Sequence, residues 1–337
     1  MTTHPDAATR AAPDGQVRAQ KTGRCLRFPI HAAWLLSVFL AGFLVVWMNS
    51  PWGVGAYHDS LFYFSASSNM ANGRGVYWTG SGGVLKPLTH FPPLYPGVLA
   101  LLVLPGLHVD LAARVLSSVL FGLNAALAGH AIWNSTRSVS AALLAPLVFL
   151  LPPLLGAHLQ AMSEPLFYLM TVSGLWLLAR YLWGNVSRDL LLCSLLFSLA
   201  FLARYSAGVL VLVGAITIGL MSRQQLKSRV QDVAKLLTVG LALPGIWLAR
   251  NFVRTGNLTN RTAGTHPIDI DTVRRFLDVI SFWFTDTYPS HWRELVLIMI
   301  WILVLVGIAL VGRRSNSPTR RHAACMISVL VIFLVAY

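Results

Sequence analysis

"FPPLYPGVLALLVLPGL", residues 91–107, is the stretch on which the topology turns. It is apolar throughout, yet its prolines leave about 15 residues for a helix, fewer than the roughly 20 that cross a bilayer core. If it spans, every later connection changes sides. Charge counting chooses between the two arrangements, because short cytoplasmic loops carry an excess of Lys and Arg. With the run held at one surface, 16 of the 26 basic residues fall on the cytoplasmic side, among them Arg137, Arg180, Arg188 and Lys235. If it crosses, "SRQQLKSR" (222–229) and "GRRSNSPTRR" (312–321) move outside. The non-spanning arrangement is therefore expected. Residues 50–111 then form one large outer loop, with an amphipathic helix around 58–72 and a re-entrant or interfacial helix around 94–105.

Composition fixes the class. With 55% apolar and only 11% charged residues, the chain lies far from soluble domains and reads as an all-α polytopic membrane protein. The excess of 26 basic over 12 acidic residues belongs on cytoplasmic loops, so no nucleic-acid partner is expected. Cys25, Cys193 and Cys325 have no metal-ligand or disulfide spacing. Residues 1–29, ending in the basic stretch "RAQKTGRCLR" and its short continuation, read as a disordered cytoplasmic tail. "IHAAWLLSVFLAGFLVVWMN" (30–49) has spanning length and no cleavage site after it, as a signal anchor would. Further runs near 112–133, 139–158, 164–183, 188–204, 206–222, 233–251, 293–312 and 323–337 bring the expected spans to about nine. The module is expected over 30–312, followed by a cytoplasmic loop and a further, truncated span over 313–337. Because "VIFLVAY" stops inside an apolar run, a C-terminal continuation is expected.

A second outer loop, about 252–292, carries "DIDTVRRFLDVISFWF" (269–284), which places Val273, Phe276, Leu277 and Ile280 on one face of an interfacial helix. Two elaborated loops thus share the outer face, and candidate chemistry belongs there. Of the outer acids, Asp59 and Glu164 abut spans in apolar surroundings. Asp59 reads either as the N-cap of the 58–72 helix or as a functional carboxylate. Glu164, just before Pro165, suits a helix entry equally well. Arg114, Arg204 and Arg250 each lie at the outer end of a span. One such arginine reads as headgroup snorkelling, but three around one mouth match the forked oxygens of a lipid-linked phosphate.

These residues sit in a series of segments that together resemble the GT-C membrane glycosyltransferases, especially the protein O-mannosyltransferases and lipid A aminoarabinose transferases. The segments are "YHDSLFYFSASSNMANGRGVY" (57–77), "LTHFPPLYPGVLALL" (88–102), "AMSEPLFYLM" (161–170), "LARYSAGVLVL" (202–212) and "LPGIWLARNFVRTGNLTNRTAG" (243–264). The resemblance covers roughly 30–312. It implies that Asp59 is the catalytic acid, Arg114 the arginine following the first outer loop, and Glu164 the acidic position at the outer end of the third span. The family often has a second acid beside the first, whereas here His58 precedes Asp59 and Ser60 follows it.

The implied reaction moves a sugar from a polyprenyl phosphate to a hydroxyl of a glycan, lipid or protein acceptor, on the outer face of the cytoplasmic membrane. Asp59 would act as base, and Arg204 and Arg250, with Arg114, would meet the phosphate. Inversion at the anomeric carbon is the expected outcome. No phosphate-binding glycine loop of a nucleotide enzyme occurs, and "TGSGGV" (79–84) reads as a turn. His58 and His90 are the candidates to join Asp59 around a divalent metal, or are hydrogen-bonded structural histidines. Tyr95, with Tyr57, Phe62, Tyr63, Tyr77, Trp78 and Phe91, offers either a sugar platform or interfacial anchors. Three other classes share parts of this pattern: a multi-span transporter, a noncatalytic lipid-binding membrane protein, and a cell-envelope ligase or polymerase. The topology has a direct test. Single cysteines at positions 86 and 110 in a cysteine-free background are both expected to react with an impermeant thiol reagent in intact cells. Protection of position 110 until permeabilisation would mean that 91–107 crosses.

Overall fold

The computed structural model describes residues 14–222 and 224–260, together with Asp271, and side chains from His31 onward. Helix α1 (Asp14–Asn49) begins inside the stretch whose composition suggests a disordered tail, and its membrane-length apolar part is His31–Asn49. Residues 50–108 then hold α2 (His58–Ala71), a hairpin of β1 (Tyr77–Thr79) and β2 (Leu85–Pro87), and α3 (Leu94–Val103). After them come α4 (Val109–Thr136), α5 (Val139–Leu144), α6 (Pro152–His158) and α7 (Glu164–Gly184). The last described elements are α8 (Ser187–Ala203), α9 (Gly208–Met221) and α10 (Leu226–Thr255). The second-loop helix expected over 269–284, the spans expected at 293–312 and 323–337, and the 313–322 connection lie outside the described residues, Asp271 aside.

Among the described residues, four helices are long and apolar enough to cross a membrane: the apolar part of α1, and α4, α7 and α10. The expected span at 139–158 is broken. A 3-10 segment over Ala145–Leu150 follows α5, and α6 departs from that direction by 67°. Pro146, Pro152 and Pro153 explain the break, since each lacks the N–H that a continuous helix would use, whereas the start of a new helix tolerates it. Counted as one broken span, this pair makes a fifth crossing. The remaining two expectations, 188–204 and 206–222, are the 17-residue α8 and the 14-residue α9, shorter than the roughly 20 residues of a full crossing.

Helices α1 and α4 run antiparallel. At one end His31 Nε2 meets His130 Nδ1 at 3.2 Å, and at the other Arg114 donates to the Trp47 carbonyl at 2.6 Å. Residues 50–108 therefore leave the bundle and rejoin it at the same end, called here the loop end. Helix α3, at 10 residues, is about 15 Å long, half the thickness of a typical hydrocarbon core. The structure agrees with the non-spanning reading of 91–107. "TGSGGV" is the hairpin turn, with Gly82 and Gly83 at φ of 72° and 79°, where a side chain would be strained.

Glycine sets the spacing of α1 and α4. A Cβ on Gly122 would lie 2.5 Å from the Phe39 carbonyl oxygen, and one on Gly42 would lie 3.0 Å from the Gly122 Cα. Helices in lipid gain little from burying apolar faces, so close backbone approach through small residues supplies much of their attraction. The loop end is closed by a continuous core in which Tyr63, Leu88, Phe91, Tyr95 and Leu99 of the loop pack with Ala112, Leu116, Leu166 and Phe167 of the bundle. Gly122→Ala is expected to cost about 1–3 kcal/mol by forcing α1 and α4 apart. Gly219→Ala, where nothing lies within 4 Å, is expected to be neutral or slightly stabilising. Unfolding midpoints in detergent distinguish the two.

Candidate functional site

The first turn of α2 shows what Asp59 does not do. Tyr57 is the N-cap, and its backbone N–H donates to the Ser60 hydroxyl at 2.9 Å. Asp59 is thus not the N-cap residue. A carboxylate there still suits the positive end of the helix dipole, but its side chain is 41% exposed and its partner among the described residues is His58, 3.8 Å away. His58 itself is 83% exposed.

One helical turn further on, Tyr63 lies on the same face and is buried. Its hydroxyl is 3.2 Å from the Ser163 hydroxyl, and its ring stands edge-on to Phe91 and Tyr95, at centroid distances of 5.1 and 4.9 Å. Burial pushes the Tyr63 phenol up to about 12; the Ser163 hydrogen bond and Arg204 act against that, and Glu164 and Asp59 reinforce it. One phenol therefore feels all three charged residues. Tyr95 is fully buried at the start of α3, and burial, with Tyr63 and Glu164, raises its phenol further still. Its hydroxyl has no hydrogen-bond partner among the described residues.

Backbone pairing brings the two acids to the same neighbourhood. The Gly55 N–H donates to the Leu159 carbonyl and the Ala161 N–H to the Gly55 carbonyl, both at 2.8 Å, so the chain entering α2 lies against the chain entering α7. Glu164 opens α7 with Pro165 next to it, and its Oε1 pairs with Arg204 Nη1. The other oxygen, Oε2, is shielded from solvent and has no partner among the described residues. Arg204 is the C-cap of α8, in extended backbone, which turns the chain across the bundle end. A partly buried ion pair of this kind fixes the direction of its guanidinium, because moving either charge would leave the other uncompensated.

The three arginines expected around the mouth therefore have different surroundings. Arg204 sits with Glu164. Arg250 reaches the loop itself: its Nη1 donates to the Leu88 carbonyl at 3.0 Å and to Asn251 Oδ1 at 2.9 Å, and its Nη2 to the Val76 carbonyl at 2.9 Å. Trp247 lies beneath its guanidinium at 4.8 Å. Arg114 lies 3.7 Å over the Trp47 ring while donating to the Trp47 carbonyl, and so closes the end of α1. His90 faces the Asn260 carbonyl at 3.4 Å and Phe91 edge-on. Among the described residues no three His, Cys, Asp or Glu side chains group as metal ligands would.

The sequence reading passed over Tyr205 and Ser163. Tyr205 donates to the Thr89 carbonyl at 2.6 Å and accepts from the Trp247 indole at 2.9 Å, tying the loop to α10. Its place directly after Arg204 was the available signal. The aromatic residues Phe62, Trp78 and Phe91 pack on one another, with Phe62 4.7 Å from Trp78 and 5.5 Å from Phe91, and so build the wall of the loop.

No family model, curated protein or solved structure matches the chain.

Arg250 has a consequence that a simple surface cation would lack. Charge-assisted bonds contribute about 1.5–3 kcal/mol. Arg250→Ala is therefore expected to speed amide exchange across residues 76–89 by on the order of ten- to a hundredfold, with Arg250→Lys recovering only part of the protection. Exchange measured by mass spectrometry checks this; unchanged exchange would remove Arg250 from the loop's support.

Proposed function

We propose that the chain is a GT-C-type glycosyltransferase that moves a sugar from a polyprenyl phosphate to an acceptor hydroxyl at the loop end of the bundle. The observation that carries this reading is Asp59: a half-exposed carboxylate that leaves the capping bond to Ser60 and stands on the same helix face as Tyr63, the phenol that also feels Glu164 and Arg204. The sequence resemblance gives the same residue the same role. In this reading the bundle continues to about nine spans, the N-terminus is cytoplasmic and the loop end faces outward from the cytoplasmic membrane.

The donor's polyprenyl tail lies among the helices and its phosphate meets Arg204, which Glu164 holds in place. Arg250 and Arg114 already donate to backbone carbonyls, so their part is to hold the loop and the end of α1 around that phosphate. Asp59 accepts the proton of the acceptor hydroxyl. The freed oxygen forms a bond to the anomeric carbon from the side opposite the phosphate, the carbon–oxygen bond to the phosphate breaks, and the electron pair leaves with the polyprenyl phosphate. The configuration inverts. Arg204 stabilises the charge that grows on the departing group, and the phosphate linkage supplies the driving force.

Asparagine at position 59 separates this role from a structural one, because it keeps the shape and suits a helix start. Asp59→Asn is expected to lower turnover by about a hundred- to ten-thousandfold, with thermal stability and donor binding near wild type. The measurement is transfer from a radiolabelled polyprenyl-phosphate sugar by reconstituted protein. Near-normal transfer by the variant would give the proton to another group.

A further inference from the structure

The end of the bundle opposite the loop carries its own set of cations, which the proposed transfer does not use. Two adjoining cavities lie there, of about 840 Å³ and about 280 Å³, and Arg137 lines both. The larger, among α1, α4 and α5, has His31, Trp34, Trp133, Val139 and Leu143 on its walls. The smaller, between α4 and α7, is lined by His130, Asn134, Trp176 and Arg180. Among the described residues neither has an acid in its lining.

Several donors at this end have no partner among the described residues. Arg137 follows α4 in left-handed backbone, at φ 56°, with an exposed guanidinium that bonds none of them. Arg180 lies 5.0 Å over the Trp176 ring and pairs through Nε with Asp189 at 3.2 Å, which leaves its terminal nitrogens. The Trp34 indole N–H is shielded from solvent and donates to nothing among the described residues. The Asn134 amide donates to His130 Nε2 at 2.8 Å, so by elimination the other His130 nitrogen donates to His31 Nε2 at 3.2 Å, and His31 keeps its Nδ1–H for an outside acceptor. Cations and ring N–H groups thus share one mouth, and an aromatic and aliphatic groove continues from it.

We propose that this cleft binds an anionic phospholipid, with the phosphate between Arg137 and Arg180 and the acyl chains along Val139 and Leu143. Charge complementarity selects an anion. The larger, apolar cavity selects a lipid over free phosphate, which would have no use for it. Basic pockets between membrane helices are suited to lipid phosphates on the cytoplasmic side, and tryptophan favours the headgroup level. The proposal is independent of any chemistry at Asp59.

Isothermal titration calorimetry of the full chain in detergent, with short-chain phosphatidylglycerol, phosphatidylcholine and inorganic phosphate, tests it. Phosphatidylglycerol is expected to bind at least about tenfold more tightly than phosphatidylcholine. Arg137→Asn, which tolerates the left-handed backbone, is expected to weaken phosphatidylglycerol by about ten- to a hundredfold without moving the melting midpoint. Leu143→Trp, which fills the groove and leaves both arginines in place, is expected to weaken the lipid while leaving inorganic phosphate unchanged. Should Arg137→Asn fail to fold, Leu143→Trp decides. Equal affinity for the two lipids, or an unchanged affinity for phosphatidylglycerol in both variants, overturns the proposal. Inorganic phosphate binding as tightly as the lipid, with no effect of Leu143→Trp, would make free phosphate the ligand.

Discussion

The contact of α1 with α4 at Gly42 and Gly122 determines where everything else in this chain can stand. Because the two helices run antiparallel, the segment that joins them starts and finishes at one end of the pair. The 50–108 loop is therefore committed to a single surface, however apolar its 91–107 stretch. A side chain at Gly122 would meet the Phe39 carbonyl as well as the Phe39 ring, and the carbonyl has no easy way to yield. The end-contacts, Arg114 with Trp47 and His31 with His130, then fix the pair lengthwise. Spacing follows from this crossing, and the end-contacts hold the antiparallel order that keeps the loop at one end.

The loop end is built on side chains that reach for backbone carbonyls. Arg250 holds Val76 and Leu88, Tyr205 holds Thr89, and Arg114 holds Trp47. An irregular loop beside a membrane has carbonyls that neither helix nor sheet satisfies, and leaving them buried without partners is costly. These three side chains, each at the end of a helix or beside it, meet that demand. Arg204 adds a different contact, an ion pair with a carboxylate from another helix, so charge contributes to its position.

Much of this was legible in the sequence, for identifiable reasons. The limits of α2 and α3 followed from Asp59 and the proline punctuation, and the same-side loop followed from charge counting. The runs at 188–204 and 206–222 have the apolar length of spans, and they form helices of 17 and 14 residues, parted where Arg204 and Tyr205 divert the chain. The 67° break before α6 had its prolines in plain view, but apolar continuity outweighed them. At the site, sequence placed Asp59, Glu164 and Arg204 at one mouth. It had no means of telling which arginine would meet the acid and which would meet carbonyls, because those pairings join residues far apart in sequence. For the same reason Tyr95 was read as a surface platform, although the packing of α2, α3 and α4 encloses it completely.

One polar network away from the loop is closed, and its contrast with the polar groups around Glu164 bears on where chemistry can occur. Away from the loop, Asp232 accepts from Tyr181 at 2.6 Å and from Lys235 at 2.8 Å, while Gln224 donates to the Tyr181 hydroxyl at 3.0 Å and to Asn185 at 3.1 Å. Such a network is closed: each member satisfies another, and it holds the short connections between α7 and α8 and between α9 and α10 against each other. At the loop end the Tyr95 hydroxyl and Glu164 Oε2 are shielded yet have no partner among the described residues, and Asp59 has only an exposed histidine beside it. Buried polar atoms without partners reduce stability, so folding alone favours the closed arrangement. Retaining an acceptor on Glu164 and a donor on Tyr95 around a phenol that senses Asp59 makes physical sense where a substrate hydroxyl completes the set. In the proposed transfer the stability that these atoms forgo would be recovered on binding, with the acceptor hydroxyl brought to Asp59, whose neighbour among the described residues is His58.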